Sequence, residues 1–164
     1  MPDNPAVLLM ESTAAFAPVL LSVQAGLFLL LLLAVSFCDI RSREIPDSLQ
    51  LSIAALTILC FTPENLLGIL GALPYLVAAL FFGGADGIGG GDIKLAASTG
   101  LVFGLAASLT ASLLGLAAFT AFGVTCSCIR RLHGQKGITA FPVGPFLAAG
   151  SAAAYFMKIG GLIL

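Results

Sequence analysis

The stretch FAPVLLSVQAGLFLLLLLAVSF, residues 16–37, contains no charged residue, and that single fact limits what the chain is able to become. About 20 apolar residues in a helix span a hydrocarbon core about 30 Å thick, whereas such a helix has no polar face to turn toward water. Four more apolar runs follow: SLQLSIAALTILCF (48–61), LLGILGALPYLVAALFF (66–82), the run from Ile93 to Ile129, and FLAAGSAAAYFMKIGGLIL (146–164). The run from Ile93 to Ile129 would make about 55 Å of helix at about 1.5 Å per residue, too long for one crossing. Folding it back near Gly104 to Ser112 gives six segments. The expectation is an all-α polytopic membrane protein, a bundle of six transmembrane helices forming one domain over residues 1–164.

Charge sets the orientation of that bundle. Arg41 and Arg43 follow the first segment, Lys94 follows the third, and Arg130, Arg131 and Lys136 follow the fifth, so six of the seven basic residues share one side. The positive-inside rule assigns that side to the cytoplasm and both termini to the other. Charged residues make up 9% of the chain and the mean hydropathy is +1.10, which argues for a lipid bilayer as the surroundings and against nucleic acid as a partner. The stretch MPDNPAVLLMESTAAF lacks the basic start of a secretory signal peptide, which predicts that it is retained. Cys38, Cys60, Cys126 and Cys128 show no CxxC pairing, so they read as buried thiols and no metal site is expected.

Against this background the acids stand out. Asp39 ends the first apolar segment within SFCDIRSREIPDSLQ (36–50), and Asp92 opens the fourth within GGADGIGGGDIKL (83–95). A carboxylate at the hydrocarbon boundary costs about 1 to 3 kcal/mol if it cannot reach water. Pairing with Arg41, Arg43 or Lys94 would relieve one acid each, and that is the plain explanation. Two acids at matching depth allow another. Brought within a few ångströms, they repel, hold one proton between them near neutral pH and divide the work of activating water. Gly89 and Gly91 lack a Cβ, so the backbone is free to bend at the helix entrance and a peptide is free to approach Asp92. A phosphate-cradling loop is excluded because GGGDIKL lacks the GxxxxGK[ST] pattern.

Three stretches carry a resemblance. DIRSREIPD (39–47) with its Ile45-Pro46, GIGGGDIKLAASTG (87–100) with a GxGD motif, and FPVGPFLAAG (141–150) are similar, in this order, to the motifs of the type IV prepilin peptidases. The resemblance implies that Asp39 and Asp92 are the catalytic aspartates and that Gly89 and Gly91 are the glycines of GxGD. It implies an aspartic endopeptidase, without metal or cofactor, that cuts the leader from pilin-like precursors at the cytoplasmic face of the inner (plasma) membrane. The partner would be a prepilin-like protein with a basic leader and a hydrophobic helix. The cysteine-rich loop of the larger, methylating members has no counterpart here, so the expected form is the short one, peptidase without methyltransferase.

Other groups near the two motifs have roles to be weighed. Glu44, Asp47 and Asp86 share the cytoplasmic edge and would attract a basic leader. Lys94 either binds substrate or faces lipid phosphate. Ile45-Pro46 starts the second helix, and Pro142 and Pro145 either start the last one or shape a surface for the substrate. Paired acids also suit a proton-coupled membrane transporter, although transporters place them near the midplane between repeats, and no repeat is visible here. A presenilin-like protease shares GxGD but pairs it with Tyr-Asp, where this chain has Cys38-Asp39.

Overall fold

The computed structural model describes residues 5–82, 89–133 and 141–163, and every regular element among them is helical. Helix α1 is Pro5–Ser42, α2 is Asp47–Ala55 and runs on into a 3-10 turn at Leu56–Cys60. A 3-10 helix, Pro63–Ala72, leads into α3, Leu73–Phe82; α4 is Gly90–Leu132 and α5 is Gly144–Ile159. Pro46 stands immediately before α2, where a missing N–H and a fixed φ suit a helix start. Pro74 falls in the first turn of α3, where the winding changes from 3-10 to α.

Gly104 interrupts α4. Its φ of 80° and ψ of −177° lie outside any helix, and they turn the chain back on itself. A Cβ built on Gly100 would stand 3.2 Å from the Cβ of Ser108, whereas eight residues of straight helix would separate them by about 12 Å. The break strands the Phe103 carbonyl, and the Lys158 ammonium of α5 donates to it at 2.8 Å. The 3-10 helix packs into this hairpin by backbone contact. A Cβ on Gly68 or on Gly100 would collide with the other residue's carbonyl, and the Ser112 hydroxyl donates to Gly71 O. Small residues at these crossings let apolar helices approach without a water-driven incentive.

Away from the Asp39 end of α1, Phe28, Phe103 and Tyr155 bring α1, α4 and α5 together, with ring centroids 5.0 to 6.3 Å apart. Gln24, also buried, donates to Leu56 O at 2.9 Å and accepts from the Tyr155 hydroxyl at 3.2 Å. Fifteen residues of helix, about 22 Å, separate this polar tie from Asp39. It fixes the rotation of α1, and with it the direction of Asp39.

Among the described residues, three helices are long and apolar enough to cross a membrane: Phe16–Ser42, Pro63–Phe81 and Gly90–Leu132. Six spans were expected, and the difference has a physical source. The segments at 48–61 and 146–164 form the shorter helices Asp47–Cys60 and Gly144–Ile159, and the fourth and fifth segments run on through Gly104 without an intervening loop. The thiols also depart from expectation, since Cys128 is exposed and the other three are only half-buried.

Candidate active site

Asp39 is presented by the last turn of α1. The Arg43 N–H closes that turn on Asp39 O at 2.9 Å, and Arg43 then takes a φ of 55°, a left-handed conformation rare outside glycine and asparagine. The chain thereby leaves the helix abruptly and sends Glu44, Ile45 and Pro46 across toward α2. Asp92 stands in the first turn of α4, where its carboxylate accepts the Gly89 N–H at 3.2 Å. Both carboxylates are nearly buried, at 6% and 8% exposure, in a chain whose acids otherwise belong in water.

A third element completes the arrangement. Asp39 Oδ2 accepts the main-chain N–H of Gly144, at the start of α5, at 2.8 Å. Asp39 and Asp92 line one cavity of about 510 Å³, and the charge of Asp39 reaches Asp92. The rest of the lining is Arg43, Glu44, Ile45, Asp47, Gly89, Gly90, Gly91 and Lys94. Asp39, Asp92, Gly89, Gly91, Lys94, Glu44 and Asp47, singled out in the sequence, therefore surround one space. Asp86 lies outside the described residues, as does Lys136.

Lys94 pairs with neither buried acid. Its ammonium meets Asp47 at 2.9 Å, and both side chains are mostly exposed, so the pair is a weak bridge across the rim. The simple explanation of two acids each neutralised by a neighbouring base therefore fails for Lys94. The backbone half of the glycine argument also needs correction: Gly89 has a φ of −74° and ψ of 154°, open to any residue. Among the described residues, a methyl group on Gly89 or Gly91 would meet nothing closer than 3.6 Å. Neither glycine is demanded by packing among the described residues.

Two residues that sequence reasoning passed over belong to this constellation. Gln50, 4% exposed, donates through Nε2 to both Ile45 O and Gly91 O at 3.3 Å and so ties the two acidic segments together. Its signal was present, an amide within the apolar run SLQLSIAAL. Gly144 is the other, and its place in FPVGP gave no hint of Asp39. Among the described residues, no group of three or more His, Cys, Asp or Glu side chains is placed to hold a metal ion.

The fold and site together define an all-helical chain with membrane-length apolar helices and a cavity built around paired carboxylates. Residues 26–125 match the type IV leader peptidase family, and the chain belongs to that family. It is 32% identical over 142 residues to the prepilin leader peptidase/N-methyltransferase of Burkholderia pseudomallei strain 1026b, and equally to that of strain K96243. Each match covers 76% of this chain and 43% of the relative, so the chain spans less than half the length of the curated relatives it matches. No solved structure matches it. The matched residues 26–125 take in both Asp39 and Asp92 and end before Gly144.

Proposed function

We propose that this chain is a membrane aspartic endopeptidase that removes the leader of prepilin-like precursors at the cytoplasmic face of the inner membrane. The observation that carries the reading is the meeting of Asp39 and Asp92, nearly buried and far apart in sequence, on one cavity of a type IV leader peptidase family chain. One carboxylate is ionised and takes a proton from the attacking water, while the other, protonated, donates to the oxygen of the scissile carbonyl. The water oxygen bonds to the carbonyl carbon. Collapse of the tetrahedral intermediate breaks the C–N bond: the leaving amine takes the proton that the first carboxylate drew from water, and a hydroxyl of the intermediate returns one to the second, which restores the singly protonated pair. The proton belongs to the pair rather than to either member.

Gly89 and Gly91 leave the approach to Asp92 open, and the absence of any packing demand for them among the described residues is what a substrate-facing role would produce. Glu44 and the Lys94–Asp47 bridge form the rim that a basic leader meets. An exposed bridge is worth about 0 to 1 kcal/mol, so it is readily exchanged for contacts to the leader. The substrate's own apolar helix would lie against the bundle in the bilayer. Six crossings are part of this proposal, supported by the reversal at Gly104 and by the apolar helices Asp47–Cys60 and Gly144–Ile159. A proton-coupled transporter would use the same acids, but membership of a leader peptidase family favours hydrolysis.

Co-expression with a precursor carrying a short basic leader and about 20 apolar residues tests the reading, with the leader scored by mass. Wild-type chain should yield the shortened product. Asp39→Asn and Asp92→Asn should each abolish it while still inserting in the membrane; continued processing by either variant rejects the assignment.

A further inference from the structure

The start of α5 offers fewer hydrogen-bond donors than most helix starts. Pro145 has no N–H, and the N–H groups of Phe146 and Leu147 both turn back onto Val143 O, at 3.0 and 3.1 Å. In this first turn the Gly144 N–H remains, and it is given to Asp39 Oδ2 across 105 residues of sequence. The approach is unusually close. A Cβ on Gly144 would stand 2.7 Å from Asp39 Oδ2, 2.9 Å from its Cγ and 3.0 Å from its Cβ, contacts that no side chain could hold. Its φ does not call for glycine, since Gly144 is absent from the left-handed residues, so the requirement for glycine is one of space. The neighbour that would have to move is the carboxylate itself rather than the far end of a flexible side chain.

Resting on the aspartic peptidase reading above, we infer that Gly144 is a positioning residue for the reaction: its bare α-carbon admits the Asp39 carboxylate and its N–H fixes that carboxylate's orientation toward the cavity. Asp39 sits at the end of a helix, with Arg43 in a left-handed turn directly after it, so its own segment supplies little to hold a short side chain in one rotamer. The hydrogen bond from α5 supplies the missing constraint. The last three residues of FPVGP then contribute to that bond, since Pro145 removes a competing donor, Val143 O occupies the next two, and Gly144 presents its N–H without a side chain.

The test uses the full chain in lipid nanodiscs with a peptide bearing a basic leader and an apolar segment. Gly144→Ala should lower kcat by about 100-fold, as expected for a catalytic group displaced by about 1 Å, with KM unchanged and with an altered pH–rate profile. A merely structural glycine would reduce the amount of folded enzyme and leave kcat per folded molecule and the pH profile as in the wild type; that result overturns the inference. Asp39→Asn runs in parallel. If it retains activity, the peptidase assignment itself fails; if it is inactive while Gly144→Ala turns over normally, only the role of Gly144 fails. Selective ¹⁵N-glycine labelling covers the case in which Gly144→Ala does not fold. The Gly144 amide proton should be shifted downfield in the wild type and move upfield in Asp39→Ala, and an amide resonance indifferent to that substitution contradicts the contact.

Discussion

Gln50 is the residue whose removal tells most about how the cavity wall is held. Its amide spans from Ile45 O to Gly91 O, joining the segment after Asp39 to the segment before Asp92. Gln50→Leu keeps the volume and deletes both donors, leaving two carbonyls without that partner. The expected cost is about 1 to 3 kcal/mol, read as a lower midpoint in a circular dichroism melt, with a fall in turnover. An unchanged melt would mean that water serves those carbonyls equally well. The acids themselves were legible from sequence because each is set in distinctive local company, Ile45-Pro46 after one and GxGD around the other. Gln50 and Gly144 were not, since their meaning resides in contacts with residues 41 and 105 positions away.

The helices divide into those whose form follows from hydropathy and one whose form depends on a single backbone angle. An uninterrupted apolar run specifies α1, but the apolar run through Pro63–Ala72 suits α winding as well as the 3-10 winding it adopts, so hydropathy does not distinguish them. The reversal in α4 was placed near Gly104 to Ser112 on length alone, and it occurs at Gly104 without a polar loop, which is why the segments merge. Alanine at Gly104 would have to adopt φ of 80° with ψ of −177°, a region nearly closed to residues with a Cβ. Gly104→Ala should therefore cost about 1 to 3 kcal/mol in thermal unfolding. Gly123→Ala makes the contrast. With no described residue within 4 Å of its Cβ and an ordinary helical site, it should be neutral or slightly stabilising. Equal melts for the two variants would remove the hairpin's dependence on Gly104.

For the molecule as a whole, the logic is one of two anchored ends. The tie of Gln24 to Leu56 and Tyr155 sets the rotation of α1 at one end, and Lys158 on Phe103 O secures the reversal beside it. At the other end the tips of α1, α4 and α5 converge, where α5 holds Asp39 through Gly144 while Gly89, just before α4, holds Asp92. Rigid helices thus bring the carboxylates together, whereas the rim beyond them is carried by exposed charges that are free to rearrange. The central claim is that the two acids work as one unit, and a double-mutant comparison of cleavage rates in nanodiscs addresses it directly. Asp39→Asn and Asp92→Asn should each lose about 1000-fold or more, and the chain carrying both should be no slower than either alone. Losses that multiply in the double variant, or a single variant retaining a substantial fraction of wild-type turnover, would contradict it.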